Sequence, residues 1–267
     1  MKTINITPAS VQETSSNVAY IHHHLGLGDH IICNAIVRYY AKKYKKIFLF
    51  VFTRNLESVA YMFRDLDNIK YLTINNENYE GQFVVVNSHL QFNPNITYLK
   101  IGFDYLHHRV KTSLDQTDKL TGEQLFYEQV GLPWSERYDG FYIERNAEAE
   151  EEVYKYYNPN DEPYVFVHQD TNRKRIIDFK HILNKDIKII NFNKKLTDKH
   201  QFKFFDHMKL IENAEECHMI DSSFKCLADS FLKDKKNMFF HRYTNFDSFG
   251  PDDQKGWTTS DKFWIIL

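Results

Sequence analysis

A continuous apolar run at residues 47–52 (IFLFVF) is the feature that most constrains the fold. Strands that are buried on both faces of a parallel sheet read as unbroken runs of this kind, because neither face meets water. Apolar residues recur at helical spacing before the run, over residues 30–43, and again after it, over residues 55–66. This alternation of helix and strand predicts an α/β fold built from β-α-β units.

The alternation continues along most of the 267 residues. The predicted strands are 18–23, 47–52, 69–74, 83–87, 97–101, 164–168, 186–192, 217–220 and 238–241, and the predicted helices are 30–43, 55–66, 121–131, 147–157, 204–213 and 224–231. The densest cluster of turn residues, NPNDEP at 158–163, predicts a boundary between two α/β domains. We expect an N-terminal domain of residues 1–158 and a C-terminal domain of residues 159–267.

Composition argues against several classes of protein. The formal net charge is −2, whereas proteins that bind nucleic acid through phosphate contacts are usually strongly basic. Three cysteines without a C-x-x-C pair are typical of free thiols in a reducing compartment. The polar N-terminus lacks a signal sequence, and no apolar run reaches the roughly 18 residues of a transmembrane helix. We therefore expect a soluble, cytoplasmic protein that does not bind nucleic acid.

The stretch IHHHLGLGDHII at residues 21–32 places two glycines and an aspartate between a predicted strand and a predicted helix. Gly26 and Gly28 allow a ligand to approach the backbone closely, and a helix N-terminus offers N–H groups and the positive end of its dipole. Ligands of open α/β sheets bind at this end of the strands. Asp29 at the start of the helix is therefore a helix cap, a catalytic group, or both.

The same stretch does not fit three better-known motifs. A dinucleotide fingerprint needs a third glycine where Ile31 stands, and a P-loop needs a Gly-Lys-Ser/Thr sequence that is absent. His22 and His24 share one face of the strand, because successive residues point to opposite faces, but no third ligand has metal spacing. We predict no metal site here. One of the three histidines at 22–24 is a candidate for contact with a substrate, and a buried, hydrogen-bonded histidine is the alternative for each of them.

A second strand-to-helix junction lies in the C-terminal half, in HMIDSSFKCLADSF at residues 218–231. Asp221, Ser222 and Ser223 occupy the junction. Serine hydroxyls and the N–H groups of the helix start suit a diphosphate and need no metal. A serine that caps an ordinary helix explains the same residues.

A basic loop follows the first predicted strand of the C-terminal domain, in FVHQDTNRKR at residues 166–175. Arg173 and Arg175 suit phosphate oxygens, because the planar guanidinium group donates two parallel hydrogen bonds. His168 and Asp170 stand at the end of the strand. We favour His168 as a ligand-facing residue, since an acid beside a diphosphate repels it. A solvated basic loop is the alternative.

These segments resemble the heptosyltransferase-like glycosyltransferases of family 9, which have the GT-B fold. The sequence Gly-Leu-Gly-Asp at 26–29, after a first strand, resembles the N-terminal motif of that family. Asp-Ser-Ser at 221–223 and Leu-Ala at 227–228 resemble its C-terminal Asp-Thr-Gly and Leu-Ala positions. Cys226 stands where the family has a histidine. The resemblance covers roughly residues 18–45 and 163–232.

The resemblance implies two Rossmann-like domains that face each other across a cleft, in a compact version of the GT-B fold. It implies an inverting glycosyltransferase that moves a sugar from a nucleotide-diphosphate sugar to a hydroxyl of a glycan-type acceptor, with no metal and no cofactor. Asp29 would be the general base, and His24 and His30 would lie on the acceptor side. The donor would contact Gly28, His168, Arg173, Arg175, Asp221, Ser222 and Ser223.

Other functions also fit the sequence. A nucleotide-sugar epimerase or hydrolase on the same fold would use the same phosphate-binding residues. A non-catalytic nucleotide- or sugar-binding module would use Asp29 only as a helix cap. Finally, Asp65-Leu66-Asp67 has the Asp-x-Asp pattern by which GT-A glycosyltransferases hold a metal ion, although acidic residues are common in a turn of this kind.

Overall fold

The computed structural model describes residues 17–75, 79–91, 96–103, 122–184, 186–193, 202–232, 236–241 and 264–267. The chain divides into two compact units, Met1–Tyr142 and Ile143–Leu267. In the residues described, each unit contains a parallel β-sheet with helices, so the predicted α/β class is confirmed. None of the helices in the described ranges has the length and apolar character needed to cross a membrane.

The N-terminal unit has a four-stranded sheet in the order β3-β2-β1-β4, with every pair parallel. Its strands are β1 (Val18–His22), β2 (Lys46–Phe52), β3 (Ile69–Ile74) and β4 (Thr97–Lys100). Its helices are α1 (Leu27–Ile32), α2 (Asn34–Lys43), α3 (Leu56–Met62), α4 (Tyr79–Leu90), α5 (Gly122–Gln129) and α6 (Glu136–Asp139), with a 3₁₀ turn at Thr53–Asn55. The chain places β2 and β3 on one side of β1 and then β4 on the other.

The apolar run at 47–52 forms most of β2, which lies between β1 and β3 as the pattern predicts. Phe50 is fully buried, and it clusters with Tyr20 of β1 and Ile74 of β3. Burial of each such side chain stabilises the fold by about 1.5–3 kcal/mol. Strand β2 therefore provides much of the apolar core of the N-terminal sheet.

The predicted helix at 30–43 differs from the structure at its start and in its continuity. A helix begins three residues earlier, at Leu27, and is interrupted at Cys33, whose ψ of 5° is not helical. The second helix, α2, is tied at its start by Asn34, which exchanges two hydrogen bonds of 3.1 Å with the backbone of Tyr142. The earlier start places Asp29 within the first turn of α1.

The predicted strand at 83–87 is wrong, because these residues lie inside helix α4. A short apolar run such as FVVV fits either a strand or a buried helical turn, and its periodicity does not distinguish them. Gln82 and Val86, four residues apart, are both buried, while Val84 between them is 69% exposed. That burial pattern has helical spacing, which the run of valines conceals in the sequence.

The C-terminal unit has a five-stranded parallel sheet in the order β6-β5-β7-β8-β9. Its strands are β5 (Tyr164–His168), β6 (Lys188–Phe192), β7 (Glu216–Ile220), β8 (Met238–His241) and β9 (Trp264–Ile266). Its helices are α7 (Ala147–Tyr157), α8 (Met208–Glu212) and α9 (Ser223–Phe231), with 3₁₀ turns at Phe179–His181 and Phe204–His207. The predicted helix at 204–213 is thus a 3₁₀ turn followed by α8.

The division between the units falls earlier than the boundary predicted at residue 158, because α7 packs within the C-terminal unit. Glu150 of α7 is buried, and its carboxylate accepts a hydrogen bond of 3.0 Å from the backbone N–H of Lys209 in α8. Arg145 also binds that carboxylate, with 2.8 Å between Nε and Oε1. These contacts join the acidic helix to the unit that follows it.

The C-terminal strand β9 joins the edge of the second sheet through a buried polar cluster. Its Trp264 donates an indole N–H to Asp229 Oδ1 of α9 at 3.0 Å. The Asp229 carboxylate lies 3.6 Å from Nζ of Lys225, and both side chains are almost fully buried. The hydrogen bond from Trp264 therefore joins the strand to the helix, and the ion pair within α9 accompanies the Asp229 carboxylate that accepts it.

Candidate functional site

The loops after β1 and β4 emerge side by side at one edge of the N-terminal sheet. The two strands are parallel neighbours with His22 opposite Lys100, so residues 23–29 and 101–103 leave the sheet at the same end. The order of the strands reverses between β1 and β4, and open α/β sheets bind ligands outside the carboxyl ends of the strands at such a switch point. This edge is therefore a candidate ligand site.

Asp29 lies at this edge, as the third residue of helix α1. Gly26 is the N-cap residue, with an extended backbone and no side-chain cap. A Cβ atom at Gly26 would lie 2.6 Å from Asp29 Oδ2, so the carboxylate occupies space that only glycine leaves open. The Asp29 side chain is 29% exposed. An acidic side chain at this position can reach back toward the start of the helix and still be reached from solvent.

His24 stands beside Asp29 and is held by the neighbouring loop. Its Nε2 donates to the carbonyl oxygen of Gly102 at 2.8 Å, and its Nδ1 lies 3.8 Å from Asp29 Oδ1. Burial lowers the pKa of His24, while the hydrogen bond to Gly102 opposes that shift. The ring is therefore neutral at pH 7, with its proton on Nε2, because a carbonyl oxygen can only accept.

Gly102 lies at this edge beside His24, and the sequence interpretation missed it. It has φ of +82°, which favours glycine, and a Cβ there would lie 2.5 Å from the ring of Phe126 and 3.2 Å from that of His24. Close packing of backbone and rings thus requires a glycine. A glycine directly after a predicted strand was the available signal, but nothing in the sequence linked it to His24.

Three neighbouring histidines are buried. His22 lies 3.0 Å from the Tyr98 hydroxyl and 3.3 Å from Gln82 Oε1, and burial lowers its pKa to about 3. The rings of His23 and His30 meet edge to face, with centroids 4.3 Å apart, and both are fully buried. Burial lowers the pKa of His23 to about 4 and that of His30 well below its ordinary value. His30, expected on the acceptor side, therefore belongs to the core.

The C-terminal sheet has its own switch point, between β5 and β7, and the predicted donor residues lie at the ends of these strands. His168 ends β5 and is buried, with its ring 4.9 Å from that of Phe224. Asp221 and Ser222 follow β7, and Ser223 begins α9. Ser222 caps the helix by accepting the N–H of Lys225 at 3.4 Å. Its hydroxyl retains a proton to donate to a ligand.

The basic loop at 170–175 is a compact turn. Asp170 and Arg175 bond to each other through both backbone N–H groups, at 2.9 Å each. The Asp170 carboxylate accepts Arg173 Nε at 2.6 Å, and although burial opposes its ionisation, the bonds from Arg173 lower its pKa. Arg173 is thus already engaged with an acid, whereas Arg175 is half-buried at the end of the turn. Asp170 serves to neutralise Arg173.

The Asp-x-Asp pattern at 65–67 is not part of a metal site in the described residues. Both oxygens of Asp65 accept from the guanidinium group of Arg38, at 2.7 and 2.8 Å, and this pairing lowers the pKa of Asp65. In the parts of the chain that the structure describes, no group of three or more His, Cys, Asp or Glu side chains could hold a metal ion. Asp65 therefore has a structural role.

The three cysteines, Cys33, Cys217 and Cys226, are free and buried. Cys226 lies inside α9, where its carbonyl oxygen accepts the hydroxyl of Ser230 at 2.7 Å. Burial raises the pKa of the Cys33 thiol well above its ordinary value, so this thiol stays protonated. The position at which the resembled family has a histidine is thus occupied here by a core residue.

A chain of buried polar side chains crosses the C-terminal sheet and was not predicted. Glu216 accepts from His218 Nε2 at 3.1 Å, and His218 Nδ1 lies 2.9 Å from His241 Nε2. Burial opposes ionisation of Glu216, but the N–H groups of Leu183, His218 and Asn184 lower its pKa. The carboxylate therefore fixes the proton of His218 on Nε2. Polar residues at alternate positions of a buried strand were the signal for this chain.

Comparison with known proteins gives a likeness of fold. A solved structure, the glycosyl transferase family 9 protein from Veillonella parvula DSM 2008, matches with a TM-score of 0.53 at 12% sequence identity. The match covers 94% of this chain and 86% of that chain. No protein-family model matches the sequence, and no curated protein matches it. The two units thus have a fold similar to that of a family 9 glycosyltransferase.

Proposed function

We propose that this protein is a glycosyltransferase that moves a sugar from a nucleotide-diphosphate sugar to a hydroxyl of a glycan-type acceptor. The observation that carries the proposal is the Asp29 carboxylate, which is 29% exposed at the switch point of the N-terminal sheet, beside His24. The likeness of fold to a family 9 glycosyltransferase supports it. The hydroxyl and basic residues at the switch point of the C-terminal sheet support the same assignment.

On the acceptor side, Asp29 acts as the general base. It takes the proton of the acceptor hydroxyl while that oxygen attacks the anomeric carbon of the donor sugar. The bond from this carbon to the diphosphate breaks on the opposite face, so the configuration inverts and the nucleoside diphosphate leaves with the electron pair. A correctly placed general base contributes about 10²–10⁴-fold to the rate of such a reaction.

On the donor side, we assign the diphosphate to the start of α9 and the basic loop. Ser222 and Ser223 offer hydroxyl protons, and the first turn of a nine-residue helix offers N–H groups and the positive end of its dipole. Arg175 adds a positive charge, and Arg173 adds a weaker one because Asp170 already binds it. Asp221 and the buried His168 are assigned to the uncharged parts of the donor.

The proposed reaction needs no metal ion, since the protein supplies positive charge and hydrogen-bond donors for the leaving diphosphate. Asp65, the first acid of the Asp-x-Asp pattern, is bound through both carboxylate oxygens by Arg38. A metal-dependent transferase would have to break that pair. We therefore propose that transfer proceeds in the presence of a chelator.

Turnover of UDP-, GDP-, ADP- and dTDP-linked sugars in EDTA tests the proposal, with methyl glycosides supplied as acceptors and nucleotide release as the readout. We expect the wild type to release nucleotide and Asp29→Asn to release it about 10²–10⁴-fold more slowly. Asp67→Asn is the matched control, since it removes one exposed carboxylate of the same unit outside the site. We expect it to behave as the wild type.

Three other results would assign the protein differently. Release that requires a divalent metal and fails in Asp67→Asn would indicate a metal-dependent transferase. Release that no acceptor accelerates and that gives free sugar would indicate a hydrolase. Nucleotide-sugar binding that is equal in the wild type and Asp29→Asn, without any release, would indicate a binding module in which Asp29 only supports the start of the helix.

A further inference from the structure

Two hydrogen-bond acceptors stand side by side at the exposed edge of the N-terminal sheet. The first is Nδ1 of His24, because Nε2 of the same ring donates to the carbonyl oxygen of Gly102 at 2.8 Å and a neutral imidazole has only one proton. Burial lowers the pKa of His24 and so favours this neutral form at pH 7. The second acceptor is Oδ1 of Asp29.

The spacing of the two acceptors excludes a direct hydrogen bond between them. They lie 3.8 Å apart, beyond the roughly 2.7–3.2 Å of an N···O hydrogen bond, and neither has a proton to share. The same spacing allows two neighbouring donors to bind, one to each acceptor. The His24 and Asp29 side chains are 26% and 29% exposed, so a ligand can reach both.

We propose that His24 and Asp29 together bind a vicinal diol of the acceptor sugar, an inference that rests on the function proposed above. Asp29 takes the proton of the hydroxyl that reacts, and His24 Nδ1 accepts a hydrogen bond from the hydroxyl next to it. The oxygens of a vicinal diol lie within hydrogen-bond distance of each other, so one diol spans the two acceptors. His24 is then a specificity-determining residue that disfavours acceptors without the second hydroxyl.

The surroundings of His24 hold its ring in the orientation that this role requires. Gly102 accepts from Nε2, and its positive φ and lack of a Cβ allow the ring to lie 3.2 Å from the position that a Cβ would take. The rings of Phe103 and Phe126 pack edge to face on the imidazole, with centroids 5.0 and 5.4 Å away. A ring fixed in this way loses little further freedom when a ligand binds.

Equilibrium binding of methyl glycosides tests the proposal without any need for turnover. Saturation-transfer NMR or calorimetry would compare each glycoside that binds with its monodeoxy derivatives, on the wild type and on His24→Gln. Glutamine keeps an amide N–H that can reach the Gly102 carbonyl, but it places no acceptor where Nδ1 stands. His24→Asn is a second variant, because its amide can place an acceptor near that position.

We expect removal of one particular hydroxyl to weaken binding to the wild type about three- to tenfold, the effect of one hydrogen bond. His24→Gln should bind the parent glycoside more weakly by a similar factor, and loss of that hydroxyl should then have no further effect. Such non-additive effects of the His24→Gln substitution and of the removed hydroxyl on affinity distinguish a direct contact from a general loss of structure. His24→Asn should restore part of the affinity for the parent glycoside.

The proposal is overturned if the two losses are additive, if His24→Gln binds the parent and every deoxy derivative as the wild type does, or if the wild type binds no glycoside of the panel. Failure of the proposed function has a different signature. Coupled diol binding without any nucleotide release would remove the transferase and keep the diol site. Nucleotide release that depends on Asp29, together with additive losses, would keep the transferase and remove the diol site.

Discussion

Asp29 in the N-terminal unit and two carboxylates of the C-terminal unit, Asp229 and Glu216, differ in burial and in the groups that surround them. In the C-terminal unit, Asp229 is buried with Lys225 and Trp264, and Glu216 accepts hydrogen bonds inside the sheet. In the N-terminal unit, Asp29 is 29% exposed and stands next to a neutral histidine nitrogen. A buried, ion-paired carboxylate is structural in the sense that its removal leaves the charge of its partner buried and uncompensated. A partly exposed carboxylate beside another acceptor is suited to take a proton from a ligand.

The largest expected effect compares Asp229→Asn with Asp29→Asn. Asp229→Asn leaves the ammonium group of Lys225 buried without its carboxylate partner, and such a loss costs about 3–5 kcal/mol of folding free energy. Asp29→Asn changes a partly exposed side chain, so the free energy of unfolding should change by less than about 1 kcal/mol. Chemical denaturation of both variants measures the difference. Equal destabilisation of the two variants would remove the contrast between a structural and a functional carboxylate.

The second prediction concerns acid. Burial lowers the pKa of His22 to about 3 and that of His23 to about 4 in the N-terminal unit, and that of His241 to about 4 in the C-terminal unit. The unfolded chain binds these protons near pH 6.5 and the folded chain does not, so stability is lost as pH falls from 6.5 toward 4. Each histidine accounts for about 3 kcal/mol over that interval.

We expect the N-terminal unit to open first, because burial also lowers the pKa of His24 and His30, which lie beside His22 and His23 at the end of β1. Hydrogen exchange of peptides from β1 and β7, corrected for the intrinsic effect of pH, follows the two sheets separately at pH 7 and pH 5. Protection should fall more in β1 than in β7. A larger loss in β7 would show that the buried chain of Glu216, His218 and His241 is the more acid-sensitive element.

Much of the fold was predictable because its signals are local. Unbroken apolar runs identified β2 and β5, and turn clusters separated them from the helices. The strand predicted at 83–87 failed because a run of valines does not reveal its period, and only the burial of Gln82 and Val86 shows that it is helical. The three-residue strand β9 was missed because so short a segment has no period, and its place depends on pairing with β8.

In the candidate site too, the features that depend on neighbouring residues were predictable and the contacts between distant residues were not. The loop that presents Asp29 follows from a strand, two glycines and a helix that are contiguous in the sequence. The contact between His24 and Gly102 joins residues 78 positions apart, and it depends on β1 and β4 being neighbours. Likewise, His30 is fully buried and His24 is partly exposed, although both are close to Asp29 in the sequence. Strand order and burial are properties of the packed unit, which residue spacing does not encode.

The smallest expected effect comes from a comparison of the N-cap residues of α1 and α9. Gly26 begins α1 without a side-chain cap and with an extended backbone that alanine can adopt, but a Cβ there would lie 2.6 Å from Asp29 Oδ2. Gly26→Ala should displace the carboxylate and lower kcat about ten- to 100-fold, as small displacements of a reacting group do. The free energy of unfolding should change by less than about 1 kcal/mol, because Asp29 can turn toward solvent.

Ser222 provides the matched contrast, because its side chain caps α9. Ser222→Ala should lower the free energy of unfolding by about 1 kcal/mol and weaken donor binding, since the same hydroxyl is assigned to the diphosphate. Steady-state kinetics with thermal denaturation separates the two variants: Gly26→Ala changes kcat, and Ser222→Ala changes stability and the KM for the donor. If Gly26→Ala keeps the wild-type kcat, the position of the Asp29 carboxylate over Gly26 has no part in the reaction, and the role of Asp29 as base loses its geometric support.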